Sequence, residues 1–257
     1  MPNPKITVTM PAYNASKYIN EAIKSVLNQN YESFELLILD DGSTDNTWDV
    51  IQKYKKDPRV RIYRNKKNTG VAKTRNRLIR LAKGCYISIC DADDLMLPGN
   101  LKTLSQYLDN HPKTGAVYGN ILILNIDNKN RLIKHPYIAK SDCATKWDLL
   151  EKESLISHPG SMVRKSEIFK VGGYDKTLIY LDDLSLWFRL SENTRIKHLR
   201  YGIYYIWRRQ PSSLTRVAGQ DLRYIKNIKK RKAINKERLL IKEKAIRRRY
   251  GFNFKYT

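Results

Sequence analysis

Cysteine, histidine and phenylalanine are scarce in this chain, with three, four and five copies in 257 residues. Cys85, Cys90 and Cys143 have no metal-ligand spacing and form no disulfide framework, so a zinc-stapled or disulfide-stapled fold is excluded. Cys85 and Cys90 fall in an apolar run and read as small core residues, and a reducing, cytoplasmic setting follows as the default. The histidines show no metal pattern. No apolar run approaches the ~20 residues that span a bilayer, and the first residues lead directly into a strand-like run, so no signal peptide is expected. Internal repeats and long Gly/Ser linkers are absent. Acidic residues are also outnumbered: 25 Asp and Glu face 49 Lys and Arg, a formal charge of +24 that points to anionic partners.

The length suits one large α/β domain, or a domain with an appendage, and 41% hydrophobic residues supply a core. Seventeen tyrosines indicate many half-wet aromatic positions. Against the basic background, acidic residues cluster where strands should end. Tyr86-Ile87-Ser88-Ile89-Cys90 runs into Asp91-Ala92-Asp93-Asp94. Carboxylates packed this closely repel one another and lose hydration unless a cation joins them. A hard divalent ion carrying substrate phosphate is the natural compensation, because Mg²⁺ prefers one or two carboxylates plus phosphate oxygens. One such tip would equally be an acidic turn. A second strand ends alike, however: Phe34-Glu35-Leu36-Leu37-Ile38-Leu39 leads into Asp40-Asp41-Gly42-Ser43-Thr44-Asp45. A third, Ile6-Thr7-Val8-Thr9-Met10, leads into Pro11-Ala12-Tyr13-Asn14.

Helical spacing separates these runs. Ala22, Ile23, Val26 and Leu27 follow a Ser16 cap, and Trp48, Ile51 and Tyr54 follow a cap formed by Thr44 and Asp45. Strand and helix in alternation predict parallel strands with right-handed crossovers, which places all three polar tips on one edge of one sheet. Open α/β sheets bind ligands beyond that edge. After Asp94, Leu97-Pro98 should open a helix reaching about Leu108. Further strand is expected at Ala116-Val117-Tyr118 and Ile121-Leu122-Ile123-Leu124, with a turn at Asp127-Asn128-Lys129-Asn130.

In order, Pro11-Ala12-Tyr13-Asn14, the run from Asp40 to Thr47, Asn68-Thr69-Gly70-Val71-Ala72 with Arg75-Asn76, Asp91-Ala92-Asp93-Asp94, and Asp182-Asp183 before Leu184-Ser185-Leu186-Trp187 resemble the motifs of family 2 glycosyltransferases. The resemblance covers residues 5–216. It implies a GT-A fold, a Rossmann-like, mainly parallel twisted sheet flanked by helices, and an inverting enzyme using a nucleotide-diphosphate sugar, UDP-sugar favoured. The implied division is a transferase domain at 1–218, with a nucleotide-sugar half at 1–94 and an acceptor half at 95–218, followed by a basic helical tail at 219–257.

By that resemblance Pro11, Ala12 and Tyr13 lie along the base, and Asp41 accepts from the base N3–H while Asp40 orients the loop. Gly70 allows close approach or positive φ at a helix entry. Lys73 and Arg75 sit on that helix's exposed face, with Arg75 turned to the base or diphosphate or simply a surface residue. Asp91 would contact ribose or a metal-bound water, Asp93 would ligate Mn²⁺ or Mg²⁺, and Asp94 would stand behind it. Asp183 would be the general base. Asp182 stands where the family often has Glu, and both carboxylates would also suit a helix N-terminus. Trp187, Arg189 and the stretch Tyr205-Ile206-Trp207-Arg208-Arg209-Gln210-Pro211-Ser212-Ser213 are candidates for sugar faces and anions. His158 and Gly160 fall near the family's acceptor loop. Lacking the Gln-x-x-Arg-Trp motif of processive synthases, the chain should add single sugars to a glycan or lipid-linked acceptor in surface polysaccharide or glycoconjugate synthesis.

Much of the excess charge lies between Arg223 and Arg249. That tail reads as a solvated helix, or as a basic element peripheral at an anionic membrane or on an acidic glycan; nucleic acid is the weaker option. Two rival functions remain at this level. A nucleotidyltransferase would show a Gly-rich basic loop after the first strand, unlike Pro11-Ala12-Tyr13-Asn14. A noncatalytic nucleic-acid-binding module leaves the acidic tips unexplained.

Overall fold

A computed structural model describes residues 4–126, 131–137, 156–179, 181–209 and Glu237. The expected turn at 127–130, Cys143, residues 210–216 and the basic tail apart from Glu237 lie outside the described residues. Strands β1 (Ile6–Ala12), β2 (Phe34–Asp40), β3 (Val60–Arg64) and β4 (Tyr86–Ile89) pair in parallel in the order β3-β2-β1-β4. Their crossovers carry α1 (Ile19–Leu27), α2 (Thr47–Gln52) and α3 (Val71–Leu81).

Continuous apolar runs mark strands covered on both faces, and every residue of β2 is buried. Leu36 and Ile38 join Ile6, Val8 and Met10 in one apolar layer, while Leu37 and Leu39 join Ile87 and Ile89 in the other. Ile19, Ile23 and Val26 of α1 and Ile51 of α2 close the first layer, together with Leu101, Leu104 and Leu108 of α4 (Asn100–Asn110). Ala72, Leu78 and Ile79 of α3 close the second, joined by Ile168 of α5 (Lys165–Lys170) and by Leu186, Phe188 and Leu190 of α6 (Asp182–Asn193). At ~1.5–3 kcal/mol for each fully buried aliphatic side chain, these layers hold α3 and α6 against one face of the sheet. That shared face is what later lets their polar residues meet.

Beyond β4 the sheet continues as β8-β6-β9-β5, formed by β5 (Leu95–Met96), β6 (Thr114–Ile126), β8 (Met162–Arg164) and β9 (Arg195–Arg209), with β7 (Arg131–Tyr137) on β6. The parallel arrangement expected from alternation therefore holds for the N-terminal half, and the C-terminal half is mixed. β8 runs antiparallel to both β4 and β6 because its entry is pinned to the end of β4, where Gly160 N–H donates to Ile89 C=O at 2.8 Å.

Several boundaries differ from the sequence reading, each for a tertiary reason. Ser16 does not cap α1; its N–H donates to Asp45 Oδ2, and the helix begins at Ile19 with no side-chain cap. Thr44 is held by Asn14, and Asp45 Oδ1 accepts the Thr47 N–H at 3.0 Å from just outside α2. The helix expected at Leu97 begins at Asn100, since Leu97 N–H is tied to Tyr204 C=O and Gly99 adopts a left-handed conformation. Cys85 is exposed rather than core, whereas Cys90 is buried.

Gly42 turns the chain out of β2 at φ +72°, and a Cβ there would lie 2.6 Å from the Lys67 carbonyl carbon and 2.8 Å from Asn68 N. Gly42→Ala combines left-handed strain with a backbone clash and should cost ~3 kcal/mol. The check is the urea midpoint at constant m-value; a midpoint equal to that of the parent protein would show that the loop relaxes freely.

Candidate active site

Parallel register sets Ala12 opposite Asp40, and Cys90 N–H donates to Thr9 C=O, so the three polar tips leave the same edge of the sheet. Ala12 is buried, Pro11 half-buried, and Tyr13 is 48% exposed at the rim. Asn14 follows at φ 50°, which asparagine tolerates; its Oδ1 accepts Thr44 N–H at 2.9 Å. Asp40 is fully buried, accepts the Ser43 N–H and hydroxyl and pairs with Arg64 Nε at 2.9 Å, so it orients this loop.

Asp41 is buried as well, and both of its oxygens are engaged by the chain. They accept from Asn65 Nδ2 at 2.6 Å, Thr69 Oγ1 at 2.9 Å, Thr69 N–H at 3.0 Å and Gly70 N–H at 3.0 Å. The residue matched by motif to a base contact thus fixes the loop that enters α3. Gly70 caps that helix at φ 93° and ψ 149°, and open space surrounds the position of a Cβ. Backbone conformation, not close packing, demands glycine there.

From α3, Lys73 is exposed but Arg75 is not: its side chain is only 12% exposed. Its Nη1 lies 2.8 Å from Asp182 Oδ2 and its Nη2 3.2 Å from Asp91 Oδ1. The expectation of an exposed Arg75 is corrected by this pairing, in which a residue of α3 meets the start of α6 across 107 residues of sequence and joins it to the strand tip at Asp91.

Asp94 is fully buried and accepts the Arg208 N–H at 2.8 Å. Burial, and next the charges of Asp93 and Asp91, hold its carboxyl well above the usual range, so it favours the protonated form. Arg208 itself is buried, bonds Glu21 and reaches the Asp93 carbonyl at 3.4 Å. Tyr205 Oη accepts Asp91 N–H at 3.0 Å. β9 therefore braces the Asp91-to-Asp94 turn. Among the described residues no three His, Cys, Asp or Glu side chains converge as a metal cage. At this turn, where Asp91 pairs with Arg75 and Asp94 lies buried against Arg208, one carboxylate plus substrate oxygens is the kind of donor set a hard divalent cation takes, and the motif resemblance assigns that carboxylate to Asp93. That set fits Mg²⁺ or Mn²⁺.

Asp182 and Asp183 open α6, and the Asp183 carboxylate accepts Leu184 N–H at 2.7 Å. Leu181 before them sits at φ 41°, a conformation that costs a non-glycine residue ~1–2 kcal/mol and recurs at functional turns. Burial first, then the Asp182 charge, push the Asp183 carboxyl up to about 6, while Arg75 and the Leu184 N–H pull it down. A carboxylate so placed is a competent proton acceptor near neutral pH.

Other candidates prove structural. Trp187 and Tyr205 are buried in the core, so neither offers a face to a sugar. Arg189 donates to Ser185 and Val171 carbonyls. His158 is buried against Tyr174 and Trp187, and a Cβ on Gly160 would strike Tyr205. Arg208 and Tyr205 are the residues whose role the motif reading missed. The only sequence signal was an aromatic-basic composition, which does not reveal contacts more than 110 residues away.

The profile described as Glycosyl transferase family 2 matches residues 7–173. An uncharacterised glycosyltransferase of Methanocaldococcus jannaschii is 32% identical over 75% of this chain and 67% of its own. The chondroitin synthase of Pasteurella multocida is 30% identical over 98% of this chain, which spans only 24% of that protein's length. Among solved structures, S. aureus TarS residues 1–349 in complex with UDP-GlcNAc superposes with a TM-score of 0.68 at 20% identity, covering 97% of this chain and 73% of that one. With the motifs on one sheet edge and this profile over most of its length, the chain belongs to glycosyl transferase family 2 and is a transferase of GT-A fold.

Proposed function

We propose that the protein transfers a sugar, with inversion, from a UDP-sugar to a hydroxyl of a glycan or lipid-linked acceptor, one sugar per encounter. The observation that carries this reading is Asp183: a carboxyl pushed up to about 6 at the start of α6, joined through Asp182 and Arg75 to the strand tip that bears Asp91 and Asp93. The TarS structures hold UDP and UDP-GlcNAc, and chondroitin and hyaluronan synthases of Pasteurella multocida are among the relatives, which supports a UDP-sugar and a polysaccharide product.

In this mechanism the acceptor oxygen forms its bond to the anomeric carbon as the bond from that carbon to the diphosphate breaks. The electron pair of the broken bond leaves with the nucleoside diphosphate, and the acceptor proton passes to Asp183. Pro11, Ala12 and Tyr13 border the base, and Asp91 lies near the ribose. Mn²⁺ or Mg²⁺ held by Asp93 and the diphosphate oxygens would neutralise charge on the leaving group. Asp183 stays ionised for attack above its raised pKa.

Asp183→Asn should keep UDP affinity and lower turnover by ~10²-fold or more, because the amide is nearly isosteric yet accepts no proton. The acid limb of kcat/KM in the parent protein should fall near pH 6, where protonation removes the base, and not near the ordinary carboxylate value of 3.8. Turnover like that of the parent in the variant would move the base to another residue.

Asp93→Ala should lose most UDP affinity measured by calorimetry in Mn²⁺. Full activity in excess EDTA would count against the metal.

The basic tail we assign to an anionic membrane surface, where lipid-linked acceptors reside. Among the described residues no helix is long and apolar enough to cross a bilayer. Truncation after Arg216 should leave donor hydrolysis largely intact while reducing salt-sensitive binding to anionic liposomes. Equal liposome binding by the truncated chain would refute the assignment, and salt-sensitive transfer without liposome binding would favour an acidic glycan.

A further inference from the structure

Arg75 joins carboxylates that belong to different jobs. Asp91 ends the strand of the donor edge, and Asp182 begins the helix that carries Asp183. The guanidinium reaches them through separate nitrogens, Nη2 at 3.2 Å from Asp91 and Nη1 at 2.8 Å from Asp182, a fork geometry that a single ammonium lacks. Its surroundings are built to hold it. The Tyr174 ring lies 5.5 Å from the guanidinium carbon, and the Asn76 side-chain amide, next to Arg75, donates to the Tyr174 carbonyl at 2.8 Å and accepts the Tyr174 N–H at 2.9 Å. His158 closes the far side of Tyr174 at 3.2 Å from its hydroxyl, with Trp187 edge-on behind. Arg75 and Asp182 are only 12% and 7% exposed, against 28% for Asp91, so the charge of Arg75 is screened least toward the α6 side.

We infer that Arg75 is a positioning residue that clamps the donor-edge Asp91 to Asp182 and thereby fixes the Asp183 carboxylate for proton abstraction. The assignment rests on the reading of Asp183 as the base. Among the described residues the charged groups facing Asp183 are Asp182 on its own helix, Arg75 on α3 and Asp91 beyond β4, with Tyr174 and His158 behind Arg75. Arg75 favours the ionised form of Asp183, whereas Asp182 and Asp91 oppose it. Loss of the Arg75 charge therefore raises the pH of the acid limb, and loss of the Asp182 charge lowers it, although both changes break the same clamp. A residue that only touched the donor would produce neither shift.

The test uses the full chain and three variants, Arg75→Met, Arg75→Lys and Asp182→Asn, with UDP affinity in Mn²⁺ by calorimetry and kcat/KM followed against pH. Arg75→Met should lower kcat more than it weakens UDP binding and move the acid limb up by ~1 pH unit. Arg75→Lys should leave the limb near its place and still lose kcat, since charge remains but the span does not. Asp182→Asn should move the limb down while kcat falls; if Arg75→Met does not fold, this shift decides the matter alone. An unmoved limb in Asp182→Asn, or loss of UDP affinity in Arg75→Met with its limb unmoved, would overturn the clamp. Asp183→Asn separates the two readings: if it is inactive while the limbs stay fixed, only the clamp fails, and if it turns over normally, the base assignment fails first.

Discussion

Like charges crowded at one edge of a buried sheet are the constraint on which this molecule is organised. Parallel pairing of β2, β1 and β4 forces Asp40, Asp41 and Asp91 to Asp94 to the same edge, and α6 adds Asp182 and Asp183 from the same side. An unpaired buried charge costs several kcal/mol, so a fold with this topology needs a donor for each carboxylate it encloses. Ser43 and Arg64 serve Asp40, the Asn65–Thr69–Gly70 loop serves Asp41, Arg75 serves Asp91 and Asp182, and the Arg208 backbone serves Asp94. Different compensation gives different chemistry. Asp41, wrapped by N–H and O–H donors, is a structural pin, while Asp183, with a carboxylate neighbour and one backbone donor from Leu184, is raised into the range where proton exchange is easy.

The same compensation joins the two halves. α3 belongs to the parallel half and α6 to the mixed half, yet both pack on the layer formed by Leu37, Leu39, Ile87 and Ile89. Apolar burial brings the helices to one face without direction, and the Arg75–Asp182 ion pair ties α3 to the start of α6 there. On the opposite flank, β9 returns to the strand tips through Tyr205 and Arg208, so the Asp91-to-Asp94 turn is braced from both sides.

The legible part of this design was the part written in local pattern. Buried parallel strands are uninterrupted apolar runs, and their polar tips stand out against them, so β1, β2 and β4, the shared edge and the acidic cluster could be read directly. The helices could be read too, but not their first turns. Ser16 and Thr44 looked like caps by residue type, and both are drawn into the Asn14–Asp45 loop contacts instead. Arg75 reads from the sequence as a residue of an exposed helix face, turned to the base or diphosphate or simply at the surface, because its actual partners lie 16 and 107 residues away. Trp187 looked like a sugar platform because amphipathic spacing does not tell a core tryptophan from a rim one; packing among Leu186, Phe188 and Tyr174 decides that. Cys85 looked buried because it adjoins β4, but the strand begins one residue later.

Leu181 shows why the proposed base sits where it does. A bulky residue in the left-handed region is strained, and a glycine or asparagine would adopt the turn more easily. The turn nevertheless starts α6 abruptly, putting two consecutive carboxylates in its first turn, where the helix dipole favours them. One residue of displacement separates their fates by about 100° around the helix axis. Asp182 meets Arg75, and Asp183 keeps its own Leu184 N–H and a raised proton affinity. An adjacent acidic pair at a strained helix start is thus a way to obtain one anchored carboxylate and one of raised proton affinity from neighbouring positions, with the anchored one supplying part of the repulsion that makes the other basic.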